Sequence, residues 1–191
     1  MSHHDIKYTQ EDHLWSFFGL PVTLQRPRGK AQQVHLNYFI NLGNRIVMEG
    51  DYYKTKESVS EYIKLAKDVN GKALIEKLKR ILPLNSSLLE IGTGPGSDWN
   101  ILNNSYKAIG SDNSPEFLNR LIGKNPKGEF LELDAATLIT NRQFDGIYSN
   151  KVLHHLKTKE LENSISRQHK ILNPSGIICH SFWKGEGSEI F

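Results

Sequence analysis

Leu88-Leu89-Glu90-Ile91-Gly92-Thr93-Gly94-Pro95-Gly96 joins an apolar run and a carboxylate to three glycines within five positions. The apolar residues, bounded by Pro83 and Gly92, read as a short buried strand, and glycines so closely spaced force a tight turn after it. Bare backbone serves two purposes at such a turn. It adopts dihedrals denied to other residues, and it lets a ligand lie where a Cβ would collide with it. The helix that follows begins with N–H groups that lack partners and carry partial positive charge, so an anionic group can rest there. Asp112 stands twenty residues after Gly92, at the end of a second strand-like run, Tyr106-Lys107-Ala108-Ile109-Gly110. A carboxylate at that offset in a dinucleotide-binding fold accepts hydrogen bonds from the two ribose hydroxyls of adenosine. Loop and carboxylate together point to a bound adenosine.

Four further segments extend the pattern. Gly110-Ser111-Asp112-Asn113-Ser114 carries the Asp112 carboxylate, and Leu131-Glu132-Leu133-Asp134-Ala135 ends another strand-like run on a second one. Phe144 to Leu156 reads as a strand that opens through Ser149-Asn150 into Lys151-Val152-Leu153-His154-His155. Leu172-Asn173-Pro174-Ser175-Gly176 reads as a turn into the next strand. In this order they resemble the class I S-adenosylmethionine-dependent methyltransferases, over roughly residues 70 to 183. Glu90-Ile91-Gly92-Thr93-Gly94-Pro95-Gly96 is similar to that family's first motif, E/D-x-G-x-G-x-G. Ser97 stands where the dehydrogenase pattern wants a third glycine, which disfavours an NAD-dependent enzyme.

The resemblance implies a cofactor, S-adenosyl-L-methionine, and a set of contacts. Gly92, Thr93, Gly94 and Gly96 would lie beneath its methionine end, with Glu90 orienting the loop or the amino group. Asp112 would take the ribose hydroxyls, Asn113 would lie beside the base, Asp134 would accept from the adenine amino group, and Ala135 would offer a backbone N–H. Ser149 and Asn150 would face the sulfonium and ammonium groups. The bland alternatives are a salt-bridged strand end for Glu90 and a turn residue holding its own backbone for Asn113. Methyl transfer from a sulfonium needs little covalent help, so positioning is most of the work. His155, and next to it His154, are the general-base candidates because imidazole titrates near neutrality; the alternative is that they cap the following segment or line the cofactor pocket. A metal site is not expected, since no i, i+4 histidine pair or facial carboxylate set appears.

These residues need elements to hold them. Val59, Tyr62, Ile63, Ala66 and Val69 recur at helical spacing; Asn70-Gly71 closes that helix, and a second runs to Pro83. A short helix spans Asp98 to Asn104. Ser114-Pro115 starts another, with serine as N-cap and proline at the first helical position. Strands are expected at Glu129–Leu133, Phe144–Ser149 and Gly176–Phe182, a short helix or turn over Ala135–Arg142, and a helix over Thr158–Leu172. Strands and helices alternating at this pace imply parallel strands with right-handed crossovers. The fold class is a doubly wound, Rossmann-like α/β sheet with helices on both faces and an N-terminal extension. Residues 1–57 form that extension, a candidate lid with an extended piece near Pro21–Gln25 and a helix over Gln33–Leu42; residues 58–191 form the cofactor-binding domain. The family's C-terminal antiparallel hairpin is missing. The edge of strand five would then be bare, which native proteins avoid. Truncation is the favoured explanation; the alternatives are cover from the N-terminal extension or from a second copy in a homo-oligomer.

Composition narrows the rest. A chain of 191 residues builds one domain with a real core. Hydrophobic content of 38% with 24% charged residues is ordinary for a soluble protein, and neither a membrane span nor a secretory signal is seen. One cysteine, Cys179, excludes an internal disulfide and suits a reducing, cytoplasmic setting. A net charge of +3, with scattered basic residues, does not call for nucleic acid. Ser149-Asn150-Lys151-Val152 lacks the N/D-P-P-Y/F motif of amino-methylating DNA enzymes, and Cys179 lacks the preceding proline of cytosine-C5 enzymes. The expectation is methyl transfer to O, N or C of a small molecule. The alternative is a non-catalytic domain, or an inactive fragment, that binds S-adenosylmethionine or S-adenosylhomocysteine.

Overall fold

Leu14–Phe17 (β1) and Leu20–Thr23 (β2) pair as an antiparallel hairpin. The computed structural model describes these segments together with residues 53, 55–66 and 70–182. The chain continues through α1 (Lys56–Leu65), α2 (Lys72–Leu78), β3 (Ser87–Ile91), α3 (Ser97–Leu102), β4 (Lys107–Asp112), α4 (Pro115–Lys124), β5 (Glu129–Glu132), β6 (Phe144–Asn150), a 3-10 turn (Leu153–His155), α5 (Thr158–Ile171) and β7 (Leu172–Ser181). All seven strands share one sheet, in the order β1-β2-β7-β6-β3-β4-β5. The five strands from β5 to β7 are parallel, so their C-terminal ends share one edge. From β3 the chain moves outward to β4 and β5, then returns to add β6 and β7 on the other side. The connections leaving β3 and β6 therefore diverge, and a crevice opens between them.

Strand periodicity divides the core in two. Leu88, Ala108, Tyr148 and Cys179 face α2 and α3, packing with Leu74, Ile75, Leu78, Trp99 and Leu102. Leu89, Ile91, Ile109, Ile147 and Ile178 face the other way, with Leu153 and Ile171. Side chains of successive strand residues point to opposite faces, so a strand covered on both sides reads as an unbroken apolar run. Each such leucine or isoleucine contributes about 1.5–3 kcal/mol by leaving water. Trp99, 3% exposed, donates its indole N–H to the Ala108 carbonyl at 3.1 Å and packs at 4.8 Å from the Phe130 ring, which makes it part of the core.

Helix starts follow their caps. Ser114 Oγ accepts from Phe117 N–H at 3.3 Å with Pro115 behind it, and Thr55 Oγ1 accepts from Ser58 N–H at 3.2 Å. The segment 135–142 is a turn rather than a helix. Asp134 Oδ1 takes the Ala136 and Thr137 N–H groups at 2.8 and 3.0 Å, and Leu138 at φ +43° turns the chain away. β7 begins at Leu172, earlier than Gly176, because Asn173 to Gly176 form a bulge between the pairs Phe144↔Leu172 and Gly146↔Ile177. α1 stops at Leu65, capped by Ala66 N–H to Tyr62 O at 2.8 Å. The expected helix over Gln33–Leu42 lies outside the described residues.

The edge of β7 is not bare. β2 pairs with it in parallel, Val22 opposite Ile178 and Thr23 opposite Cys179, so the N-terminal segment supplies the cover. Among the described residues no helix is long and apolar enough to cross a membrane.

Candidate active site

The glycine loop leaves β3 at the crevice. Gly92, Gly94 and Gly96 have φ of +68°, +49° and +85°, the left-handed region that favours glycine. Backbone bonds fix the loop's path: Thr93 N–H to Ser111 O at 2.8 Å and Gly96 N–H to Thr93 O at 2.9 Å. The glycines differ in what surrounds them. A Cβ on Gly92 would stand 2.6 Å from both methyls of Val152, and one on Gly96 would stand 2.3 Å from Leu121 Cδ2, whereas one on Gly94 would meet nothing within 4 Å among the described residues. Two glycines are thus demanded by the protein's own packing, and the third borders open space where a ligand's backbone-hugging portion fits.

Three carboxylates sit around that space. Glu90, 3% exposed, accepts from Thr93 Oγ1 at 2.6 Å; burial holds its carboxyl well above the usual range, and Thr93 offsets part of this. Asp112 accepts from Gly94 N–H at 2.8 Å through Oδ2 and from Ser114 N–H at 2.9 Å through Oδ1. Burial raises its carboxyl and those N–H groups pull it back. The Asn113 N–H also bears on this carboxylate, and of its four lone pairs at least one remains to accept a hydroxyl. Asp98, in the first turn of α3, is buried and accepts from Gly71 N–H at 2.5 Å, Tyr148 OH at 2.8 Å and Asn150 Nδ2 at 2.9 Å.

Sheet register places the adenine-side candidates next to Asp112. Glu132 pairs with Asp112 and Leu133 N–H donates to the Asp112 carbonyl at 3.1 Å, so Asp134 and Ala135 emerge at the same end of the sheet. Asn113 and Asp134 are exposed there. Asp134 Oδ1 already holds its own turn, which leaves Oδ2 for a ligand. α1 docks beside this corner. Ser114 Oγ donates to the Tyr53 carbonyl, Arg120 Nη2 donates to Lys56 O at 3.0 Å and Ser60 Oγ at 2.9 Å, and Tyr53, Tyr62 and Phe117 pack with ring centroids 5.4–6.2 Å apart.

At the end of β6 the structure changes the expected assignments. The Ser149 side chain does not reach the crevice: it is 0% exposed and pairs with His180 Nδ1 at 2.8 Å, because alternation turns it toward α5. Asn150 points the other way, yet both ends of its amide are committed, Nδ2 to Asp98 and Oδ1 to Ser181 Oγ at 2.5 Å. What these two residues can offer a ligand is backbone. Lys151 has φ +58°, and the chain then folds back so that Val152 fills the space above Gly92. Burial lowers the half-buried Lys151 ammonium below its usual range, and the Asp98 charge draws it back. His154 and His155 stack at 3.9 Å. His155 is exposed, while His154 Nδ1 is buried without a hydrogen-bond partner among the described residues; burial, then His155 and Lys151, push the His154 ring down to about 4.

Sequence reasoning missed Asp98, Lys151 and Ser181. Asp98 looked like any acidic residue at a helix start, and its donors come from segments far away in the chain. Cys179 is buried, and burial pushes its thiol up to about 12, so it is no nucleophile. Among the described residues no group of histidines, cysteines and carboxylates could hold a metal. A separate surface cleft of about 350 Å³, lined by Asn100, Asn103, Asn125 and Lys127, lies at the opposite edge of the sheet, where β4 and β5 begin.

Residues 88–176 match the family model described as a methyltransferase domain. No curated protein matches the chain. Among solved structures, DesVI of Streptomyces venezuelae is 20% identical with a TM-score of 0.57, over 68% of this chain and 58% of that one. A S-adenosylmethionine-dependent methyltransferase from Clostridium acetobutylicum is 22% identical with a TM-score of 0.55, over 64% of this chain and 55% of that one. The N-methyltransferase NodS from Bradyrhizobium japonicum, solved with S-adenosylhomocysteine, is 21% identical with a TM-score of 0.55, over 67% of this chain and 71% of that one. The chain thus spans 58% and 55% of the length of the first two. Motif order, family match and the strand order β5-β4-β3-β6-β7 agree: residues 88–176 match a methyltransferase domain and have the Rossmann-like fold of the S-adenosylmethionine-dependent methyltransferases they resemble.

Proposed function

We propose that the chain binds S-adenosyl-L-methionine at the glycine loop and transfers its methyl group to a small-molecule acceptor. The observation that carries the reading is the open space before Gly94, flanked by the Asp112 carboxylate. When bound, the cofactor supplies an electrophilic methyl on a sulfonium that departs as a neutral thioether. The chain's contribution is placement. Gly94 and its neighbours cradle the methionine end, and Asp112 accepts from the ribose hydroxyls through its remaining lone-pair capacity. Asp134 Oδ2 and the Ala135 N–H meet the base beside Asn113. Glu90 orients the loop through Thr93, and the backbone of Ser149 and Asn150 faces the reacting end. Asp112→Ala should weaken binding by roughly 1.5–3 kcal/mol, the range for hydrogen bonds to a charged acceptor; unchanged affinity by calorimetry removes the assignment.

Of the two histidines, His154 is the better base. Its Nδ1 has no hydrogen-bond partner among the described residues, and a ring held down near pH 4 is neutral at physiological pH, so it takes the acceptor's proton as a weak base. The expected kcat/KM profile loses activity through this group only as pH approaches 4, and His154→Gln lowers kcat by about 100-fold. A variant with unchanged kcat rules the role out.

Oxygen, nitrogen and carbon acceptors all fit the chemistry. Amines head the panel to be tested because NodS is an N-methyltransferase and CalS10 of Micromonospora echinaspora an amino pentose methyltransferase. The 58% coverage of DesVI favours a second reading, a binding domain without catalysis. Titration with S-adenosylmethionine and S-adenosylhomocysteine, followed by transfer of a labelled methyl to a metabolite panel, separates the two. Binding without transfer selects the second, and absence of binding removes both.

A further inference from the structure

Donor and acceptor accounting around Asp98 yields a directed chain of hydrogen bonds. A carboxylate only accepts, so the Asn150 amide must present Nδ2 to Asp98, as it does at 2.9 Å. That orientation sends Asn150 Oδ1 toward Ser181, which must therefore donate its hydroxyl, at 2.5 Å. With its proton so used, Ser181 Oγ has lone pairs for the Lys151 N–H at 3.1 Å. The Lys151 N–H also reaches the Ser181 carbonyl at 3.1 Å, and it belongs to the residue with φ +58° that turns the chain from β6 toward Val152 and His154. At the other end, Asp98 holds Gly71 N–H at 2.5 Å, at the start of α2. Gly71 itself fits only because it has no side chain: a Cβ there would stand 2.0 Å from Tyr148 OH and 2.6 Å from Asp98 Oδ2.

We infer that Asp98 is a positioning residue for the transfer reaction: it sets the polarity of the relay Asp98–Asn150–Ser181–Lys151 and thereby holds the left-handed turn that aims the Val152–His155 segment over the glycine loop. The inference rests on the methyl-transfer reading for its catalytic consequence and on geometry alone for the relay. No other described side chain joins the lead-in to α2, the start of α3 and the end of β6 in this way. The carboxylate touches neither acceptor nor reacting atoms; it acts by fixing backbone.

Polarity makes the idea testable. Asp98→Asn keeps size and shape but offers an N–H₂ where Asn150 also offers one, so Asn150 must flip, and Ser181 then loses its acceptor. In the exchange Asp98→Asn with Asn150→Asp, the carboxylate moves one step along the relay, Ser181 donates to it, and the Lys151 N–H regains its second acceptor, Ser181 Oγ, beside the Ser181 carbonyl. Amide hydrogen exchange at Lys151 and kcat and KM for cofactor would be measured on wild type, both single variants and the double variant. The expected result is faster Lys151 exchange and a kcat lower by about 10- to 100-fold in Asp98→Asn, the scale of a misplaced reacting group. KM for cofactor should change little, and the double variant should recover both quantities. Ser181→Ala cuts the relay at its far end and should speed Lys151 exchange even if the Asp98 variants fold poorly. Lys151 exchange unchanged in Asp98→Asn and Ser181→Ala, or no recovery in the double variant, overturns the relay. A chain with these exchange changes but no methyl transfer retains the relay and refutes the catalytic reading instead.

Discussion

Gly94→Ala is expected to abolish cofactor binding in a protein that still folds, and Gly92→Ala to destabilise the fold by about 2–5 kcal/mol. The two positions share a left-handed backbone, φ +49° and +68°, so an alanine at either costs about 1–2 kcal/mol for the conformation alone. Their surroundings decide the rest. At Gly92 the added carbon would lie 2.6 Å from Val152 Cγ1 and equally close to Cγ2. A β-branched side chain has no rotamer that withdraws both methyls, and overpacking of this kind costs a further ~1–3 kcal/mol. At Gly94 nothing among the described residues lies within 4 Å, so the methyl intrudes into the space proposed for the ligand. Displacing the methionine end by about an ångström should weaken binding at least 100-fold, about 2.8 kcal/mol. Thermal melts and calorimetric titration of the two variants check this. A Gly94→Ala protein that binds S-adenosylmethionine as wild type does would mean that the crevice before that residue is not the binding site.

The second large effect concerns stability in acid. Ser149, His180, Gln168 and Ser164 form a hydrogen-bonded chain, with His180 Nε2 to Gln168 Oε1 at 2.7 Å and Gln168 Nε2 to Ser164 Oγ at 3.1 Å. All four residues are 0–1% exposed, so a charged imidazole finds no solvation there, and burial pushes His180 down to about 3. The unfolded chain takes up this proton near pH 6.5 and the native state does not, so below 6.5 the unfolded state binds more protons. The stabilisation is present in full above pH 6.5 and is lost progressively as pH falls toward 3, at up to about 1.4 kcal/mol per unit, or ~5 kcal/mol over the window. His154, also depressed, contributes in the same direction. Glu90 and Asp112, whose carboxyls are raised, work in the opposite direction. The measurement is therefore a difference between variants. His180→Gln retains hydrogen-bonding groups but does not titrate, and it should lose less stability than wild type between pH 7 and 5. His180→Ala orphans Ser149 and Gln168 and leaves a cavity, at a cost of about 3–5 kcal/mol, which lowers Tm by roughly 8–15 °C in a chain of this size. Equal acid sensitivity in wild type and His180→Gln would show that the imidazole titrates alike in the folded and unfolded chain, and that burial does not depress it.

Neither effect could be assigned from spacing alone. The three glycines are equivalent in the sequence, and only their neighbours, Val152 and Leu121 from other elements, separate two packing glycines from one that borders the crevice. His180 reads as a polar residue inside a strand until Gln168 of α5 is brought to it. The bulge at Asn173–Gly176 shows the same limit, as does the hairpin that pairs Val22 with Ile178. The edge judged bare is covered by residues more than 150 positions away, and no local pattern announces a pairing over that separation.

By itself the sequence determined the strand, glycine loop and helix at Leu88–Leu102, the acid at the end of β4, and the succession of elements through α5, because glycine dihedrals, caps and hydrophobic periodicity act within a few residues. Tertiary structure alone decided which polar groups remain for a ligand. Ser149 is consumed by His180, Asn150 by Asp98 and Ser181, while Asp112 keeps lone-pair capacity beside open space. A hydrogen-bonding atom is available only if the fold has not already given it a partner, and those partners arrive from distant parts of the chain.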